Sequence, residues 1–397
     1  MKRLMFYCQH ILGIGHLVRS LEIVRGLLQD FEIFFINGGE VVDGFPVPDR
    51  APHGPAGHQV HLINIPAIKT DSEFRELQIP DGFQTVEQVL AHRRDLLLSI
   101  FEQVQPNVLM IELFPFGRRR FSAELIPLLE QAKAADTKVV CSLRDIVVTK
   151  QDRARHEEKI CRLMNQYFDL LLIHGDPQFM PLEVSFSRVQ DLNCPVHYTG
   201  YVAQMNGPDP AEAPIPSVPQ PLILTSIGGG RFGHELLHCV AQASEFLEDQ
   251  IPHQIQMFTG PFCPDDVYAS LRDIALQRRN LTVERFTPHL LHYMRQADLS
   301  ISMAGYNTTM NVLTTGVRSM LLPFQGNDDQ EQRLRSERLA ELGIVQVIQR
   351  QDLEPERFAQ KVIASLQQAP ASIRFDMQGV EKTAQLVRSM VREVAVV

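Results

Sequence analysis

Short apolar runs of four to seven residues alternate with longer stretches of helical periodicity along nearly the whole chain, and the alternation starts again after a proline-rich break. Such alternation is what βαβ units and a mainly parallel sheet require. In the first half the predicted strands are Arg3–Cys8, Glu32–Ile36, Val60–Ile65, Val108–Ile111, Lys138–Ser142 and Leu170–His174, with helices over Leu17–Leu28, Val86–Gln103 and Phe121–Ala134 among them. Residues 37–58 and 66–84 are rich in Gly, Pro and His and read as loops of the kind that carry substrate contacts.

Six prolines (Pro208, Pro210, Pro214, Pro216, Pro219, Pro221) fall between Gln204 and Pro221, which reads as an extended linker able to act as a hinge. The second half predicts strands Leu222–Ile227, Gln254–Thr259, Leu281–Phe286, Asp298–Met303, Ser319–Leu322 and Val345–Val347, and helices Gly233–Phe246, Asp265–Arg278, His289–Gln296, Thr308–Thr315 and Gln330–Leu342. Two α/β domains follow, 1–203 and 222–375, joined by the linker 204–221. A last helix, Gln378–Val394 within 376–397, is expected to pack on either domain. A length of 397 residues suits two cores and is too long for one.

A net charge of −9 argues against bulk nucleic-acid binding, which needs a surplus of Lys and Arg. No segment approaches the run of about 18 apolar residues that a membrane span needs, and Met1-Lys2-Arg3 leads into a first strand rather than a signal peptide. The six cysteines (Cys8, Cys141, Cys161, Cys194, Cys239, Cys263) lack zinc-site spacing and read as reduced thiols of a cytoplasmic protein.

Three predicted strands run into small-residue turns and then helices: Gly13-Ile14-Gly15-His16, Ser226-Ile227-Gly228-Gly229-Gly230-Arg231 and Met303-Ala304-Gly305-Tyr306-Asn307-Thr308. Turns of this kind aim backbone N–H groups and the positive end of a helix at an anion. Three of them in two domains suggest a nucleotide-derived ligand. One glycine turn alone carries little weight, because many αβ turns use glycine for geometry.

The run Ala304-Gly305-Tyr306-Asn307-Thr308-Thr309, with Gly316-Val317, Pro323-Phe324, Glu331-Gln332, Arg335 and Leu342-Gly343, resembles the C-terminal half of the family 28 glycosyltransferases, the peptidoglycan N-acetylglucosaminyltransferase-like group. Gly13-Ile14-Gly15-His16-Leu17-Val18-Arg19-Ser20 looks like the Gly-x-Gly-His-x-x-Arg turn of the same group, and is similar to a turn in nucleotide-sugar hydrolases of nonulosonate synthesis. Phe114-Pro115-Phe116-Gly117, Ser142-Leu143-Arg144-Asp145, His174-Gly175-Asp176-Pro177 and Tyr198-Thr199-Gly200-Tyr201-Val202 resemble a less characterised branch of predicted glycosyltransferases. The resemblance implies the GT-B fold: α/β, with two Rossmann-like domains whose parallel sheets face a central cleft.

It also implies a nucleotide-sugar donor, UDP-linked by first choice, held by Gly15, Gly228, Gly229, Gly230, Arg231, Gly260, Phe286, Ala304, Gly305, Tyr306, Asn307, Thr308, Asn311, Glu331 and Gln332. In the relatives a Glu at the position of Asn311 holds the ribose hydroxyls. Asn lacks that charge, which leaves another nucleotide or a weakened donor site open. Glu331 and Gln332 are implied to bond the donor sugar, and otherwise read as a helix-capping pair. Asn307 and Thr308 are expected to cap the helix that they open.

His16 titrates near neutrality and suits deprotonation of an acceptor hydroxyl; the alternative is a helix cap or a diphosphate contact. Glu112 and Asp145 each stand just past the carboxyl end of a predicted strand, where α/β sheets bind ligands, and are the candidate carboxylates to orient His16. Asp328 and Asp329, adjacent in a polar loop, read as solvated, so no metal and no cofactor are expected. Phe114 to Phe121 mixes aromatics with Arg118, Arg119 and Arg120, which fits either surface salt bridges or an anionic membrane contact.

The resulting reading is an inverting glycosyltransferase moving a hexosyl group to the hydroxyl of a small-molecule, glycan or lipid-linked acceptor, without nucleic acid and with peripheral membrane contact as an open question. A hydrolase using water, or a non-catalytic nucleotide-sugar-binding protein, is the alternative.

Overall fold

The computed structural model describes residues 2–11, 15–41, 59–70, 77–148, 152–204, 221–324, 330–369 and 373–391. The chain divides into two compact units, Met1–Val202 with Asp376–Val397, and Ala203–Phe375. Residues 205–220, most of the expected linker, lie outside the described residues, as do 42–58 of the first expected loop.

The first unit runs β1 (Arg3–Cys8), α1 (Gly15–Leu27), β2 (Glu32–Asn37), β3 (Val60–Asn64), β4 (Lys69–Thr70), β5 (Leu77–Gln78), α2 (Val86–Val104), β6 (Val108–Glu112), α3 (Ser122–Ala134), β7 (Lys138–Arg144), α4 (Arg153–Tyr167), β8 (Leu170–His174) and β9 (Val196–Tyr198). Seven of these strands form one sheet in the order β3-β2-β1-β6-β7-β8-β9, with parallel neighbours throughout. Every residue of β6 and β8 is buried, which explains why they read as unbroken apolar runs rather than alternating ones. Thr85 caps α2, its hydroxyl accepting from the Gln88 N–H at 3.2 Å, and Gln105 closes the helix in the left-handed conformation before Pro106.

The second unit runs β10 (Leu222–Ser226), α5 (His234–Glu248), β11 (Gln254–Phe258), α6 (Asp265–Ala275), β12 (Leu281–Glu284), α7 (Leu290–Gln296), β13 (Leu299–Met303), α8 (Tyr306–Thr315), β14 (Ser319–Leu322), α9 (Glu331–Glu341), β15 (Val345–Val347) and α10 (Pro355–Gln367). Its six-stranded sheet has the order β12-β11-β10-β13-β14-β15 and is parallel throughout. In both sheets the order reverses beside the first strand, which makes each a doubly wound sheet with a ligand-binding carboxyl edge.

The last helix, α11 (Gly379–Met390), packs on α1 of the first unit. Glycines at the contact explain the choice. A Cβ on Gly26 would stand 2.4 Å from Val380, and one on Gly379 would stand 2.6 Å from the Tyr201 carbonyl. Ala384 and Val387 join Leu17, Leu21 and Val24 in one apolar cluster, and the Tyr201 N–H donates to the Asp376 carbonyl at 2.7 Å.

Helices α4 and α10 and strand β9 are additional to the sequence reading, and β4 and β5 pair within a stretch read as loop. In α4 the large apolar residues, Ile160, Cys161, Leu163, Met164 and Tyr167, begin at its middle, so the stripe that signals an amphipathic helix is too short to stand out from Arg, Glu and Lys. Among the described residues no helix is long and apolar enough to cross a membrane. All six cysteines are free and buried, Cys8 and Cys141 within strands.

Candidate active site

Along the carboxyl edge of the first sheet the strands end in polar residues. Gln9 and His10 follow β1, Asn37 ends β2, Glu112 ends β6, Arg144 and Asp145 end and follow β7, and His174 ends β8. All but Arg144 are buried. Helix α1 starts at this edge, and its apolar face, Leu17, Leu21 and Val24, fixes its rotation on the sheet. His16, the second residue of the helix, therefore meets the end of β6.

The His16 Nδ1 lies 2.7 Å from Glu112 Oε1, and the guanidinium of Arg19, one helical turn on, donates to the same oxygen. Glu112 is fully buried, and its Oε2 has no hydrogen-bond partner among the described residues. Burial opposes the charge on this carboxyl, but His16, Arg19 and Arg118 outweigh it and hold its pKa at about 2. The near-neutral titration expected of His16 does not hold in the folded chain: burial, reinforced by Arg118 and Arg144, drives its pKa down to about 3 against the pull of Glu112. With Arg19 as the permanent cation, the ionised carboxylate does not depend on an imidazolium. His16 is thus neutral at physiological pH, with Nδ1–H donating to Glu112 and the lone pair on Nε2. The side chain keeps 16% of its surface exposed, enough for a substrate atom to approach.

Asp145 sits elsewhere along the edge. The Tyr201 hydroxyl is 3.5 Å from its Oδ2, and Gly175 packs so closely that a Cβ there would lie 2.9 Å from the Asp145 Cβ. His174 bridges the Ser142 hydroxyl at 2.8 Å and the Thr199 hydroxyl at 2.9 Å, and burial lowers its pKa to about 3. Arg19 as a partner of Glu112 is a finding of the structure beyond the sequence reading. The available signal was its place three residues after His16, on the same face of the helix.

In the second unit, the glycines of the carboxyl edge fall into two kinds. Gly230 (φ +90°) and Gly260 (φ +91°) interlock: a Cβ on Gly260 would stand 2.5 Å from the Gly228 carbonyl oxygen and the Gly230 nitrogen, and one on Gly230 would stand 2.6 Å from the Thr259 carbonyl oxygen. The Phe262 N–H donates to the Gly229 carbonyl at 2.9 Å, tying the turns after β10 and β11 together. At Gly228 and Gly305, by contrast, a Cβ would meet nothing within 4 Å. Gly228 needs its positive φ of +68°, whereas Gly305, at φ −62°, is in a conformation that any residue adopts. What Gly305 contributes is open space at the start of α8.

The expected caps of α8 are not formed. Gly305 is its N-cap, with no side-chain cap bond, and Asn307 and Thr308 lie inside the first turn. Helical backbone starts two residues earlier than its polar sequence suggests, because Tyr306 is buried and anchors it, with the Arg335 guanidinium over its ring at 5.1 Å. Arg335 is itself buried and donates to Glu331 at 2.8 Å. Gln332 Oε1 accepts from the Phe324 N–H at 3.0 Å. Both residues of the Glu331-Gln332 pair thus engage protein groups at the start of α9. Asn311 is buried on α8, Ala304 is buried before it, Phe286 stands 47% exposed beyond β12, and Arg231 lies over the Phe262 ring at 4.7 Å. Asp328 and Asp329 lie outside the described residues; among those described, no three His, Cys, Asp or Glu gather where a metal could bind.

Two doubly wound parallel units of this kind are the GT-B fold, and solved glycosyltransferases share it over the length of the chain. A Phytolacca americana UGT2 complexed with UDP-2fluoro-glucose and pterostilbene superposes with TM-score 0.59 at 15% identity, covering 100% of this chain and 96% of that one. MurG of Acinetobacter baumannii superposes with TM-score 0.58 at 14% identity, covering 98% and 99%.

Residues 224–387 match the glycosyltransferase family 28 C-terminal domain. Over 101 residues the chain is 31% identical to a UDP-N-acetylglucosamine--N-acetylmuramyl-(pentapeptide) pyrophosphoryl-undecaprenol N-acetylglucosamine transferase of Prochlorococcus marinus (strain NATL1A). That match covers 25% of this chain and 28% of the relative, so it spans little more than a quarter of the curated protein.

Proposed function

We propose that this protein is an inverting glycosyltransferase that moves a hexosyl group from a nucleotide sugar, UDP-linked by preference, to an acceptor hydroxyl. The observation that carries the reading is the contact of His16 Nδ1, at 2.7 Å, with the buried Glu112 at the start of α1. In this reading Nε2 of His16 takes the proton of the acceptor hydroxyl as its oxygen attacks the anomeric carbon. The imidazolium that forms is stabilised by Glu112, to which Nδ1–H remains bonded. The donor diphosphate is assigned to the second unit, at the open glycines Gly228 and Gly305 and the first turn of α8, where N–H groups and the helix dipole favour negative charge.

Support for a nucleotide-sugar donor comes from the family 28 match over the second unit, and from the UDP-2fluoro-glucose with which the structurally similar UGT2 is complexed. A small molecule, a glycan or a lipid-linked saccharide is the proposed acceptor class, and the cytoplasm is the proposed place of action. The test is calorimetric binding of UDP, GDP, dTDP, ADP and CMP to wild type and Gly305→Asp, followed by UDP release from UDP-hexoses with an acceptor panel. Selective UDP binding that the aspartate abolishes is the expected result; equal binding by both proteins, or no nucleotide bound at all, removes the donor site from this edge.

A further inference from the structure

Away from the strand ends just described, the first unit carries a cavity of about 880 Å³ against α4. Three elements converge on it. Helix α4 contributes Arg155, Lys159 and Arg162, at spacings of four and three that stack them on one face; the turn before α3 contributes Arg119, and the turn at Val189–Asp191 is preceded by Arg188. Such a concentration of cations is unexpected in a chain of net charge −9.

The acids on the lining do not neutralise it. Asp191 is paired with Arg188, and Asp152 caps α4, accepting from the Arg155 N–H at 3.3 Å. Glu158 is the third acid. Among the described residues, Arg119, Arg155, Lys159 and Arg162 have no carboxylate within ion-pair distance. At the wall of the same cavity stands His156, 3% exposed, with the Phe116 carbonyl as a backbone neighbour and, among the described residues, no hydrogen bond of good geometry at either ring nitrogen. A buried imidazole so poorly satisfied gains from a ligand oxygen.

We propose that this cavity binds a phosphate-bearing ligand, with Arg155, Lys159, Arg162 and Arg119 on its oxygens and His156 donating from the wall. Arginine forks match phosphate oxygens in pairs, and four unpaired cations suit a group carrying two or more negative charges. The site lies outside the proposed transfer chemistry and does not depend on it. Its link to that chemistry is short in sequence: Arg119 follows Arg118, whose charge acts on Glu112 and His16. Occupancy at Arg119 would therefore be felt one residue from the charges around the His16–Glu112 pair.

The test is calorimetric titration of the full-length protein with inorganic pyrophosphate, and co-sedimentation with phosphatidylglycerol vesicles, using wild type and Arg155→Gln/Arg162→Gln. Both substitutions are at exposed positions, and circular dichroism with thermal unfolding checks that the variant is folded. Pyrophosphate binding weakened at least about tenfold in the variant supports the site and a free phosphate as its ligand. Vesicle binding lost in the variant, with pyrophosphate binding unchanged, supports the site with a lipid headgroup as the source. Equal behaviour of the two proteins toward both probes overturns it.

Discussion

The two sheets present their carboxyl edges in opposite chemical styles. On the first, the edge is built of buried ionisable side chains, Glu112, Asp145, His174 and the arginines around them; on the second it is built of glycine and helix-start backbone, with Gly228 and Gly305 open and Gly230 and Gly260 locked together. The contrast fits the division of labour proposed above. Moving a proton needs a side chain whose pKa the fold has set, which burial and fixed charges supply. Holding a diphosphate needs N–H groups and close approach, which side chains obstruct.

The largest expected effect breaks the first edge. Glu112→Gln removes the charge that orients and stabilises His16, and should cut turnover by about a hundredfold or more while leaving UDP binding intact. UDP-release kinetics alongside calorimetry read both. Next is the locked pair of the second edge. Gly260→Ala forces a Cβ to within 2.5 Å of two backbone atoms at φ +91°. It should cost about 2 kcal/mol or more, lowering the melting temperature by several degrees, whereas Gly228→Ala at the open position should cost about half as much.

A third prediction concerns pH. His16 and His174 have pKa values of about 3 in the folded protein against 6.5 as the ordinary value, so the unfolded chain binds more protons as pH falls. Stability from these two groups is complete above about pH 6.5 and is lost progressively down to about pH 3; Glu112, held at about 2, adds a further loss below about pH 4.5. Denaturant midpoints across that range should fall steadily on acidification, and His174→Gln should flatten the upper part of the decline. The smallest effect is also the most discriminating. Gly305→Ser supplies the N-cap that α8 lacks and should raise stability by up to about 1 kcal/mol, yet weaken UDP binding by filling the open space and engaging first-turn N–H groups. A thermal-shift series with and without UDP separates the two.

Much of this was written in the sequence. Strands buried on both faces, such as Val108–Glu112 and Leu299–Met303, announce themselves as continuous apolar runs, and the glycine turns mark the ends of β10 and β13. What was not legible depends on three-dimensional neighbours. Glu112 and Asp145 both stand near the carboxyl ends of adjacent strands, Asp145 three residues beyond Ser142, the register partner of Glu112, and the rotation of α1 brings Glu112 to His16. Gly230 and Gly260 look the same in sequence as Gly305, although the first two are glycine for packing and the third leaves space. Glu331 read as a sugar ligand or a helix cap, and its ion pair with Arg335 becomes visible once α9 places the two one turn apart. Helix α4 stayed hidden because its charged face outweighs its apolar one, and that same face lines the basic cavity.

If the side chains of the first edge perform the chemistry and the backbone of the second holds the donor, His16→Ala separates the two, with turnover and UDP affinity measured on one preparation, using the UDP-hexose and acceptor that give the fastest UDP release. Turnover should fall by about a hundredfold or more with UDP affinity unchanged. Turnover within a few-fold of wild type would contradict that division.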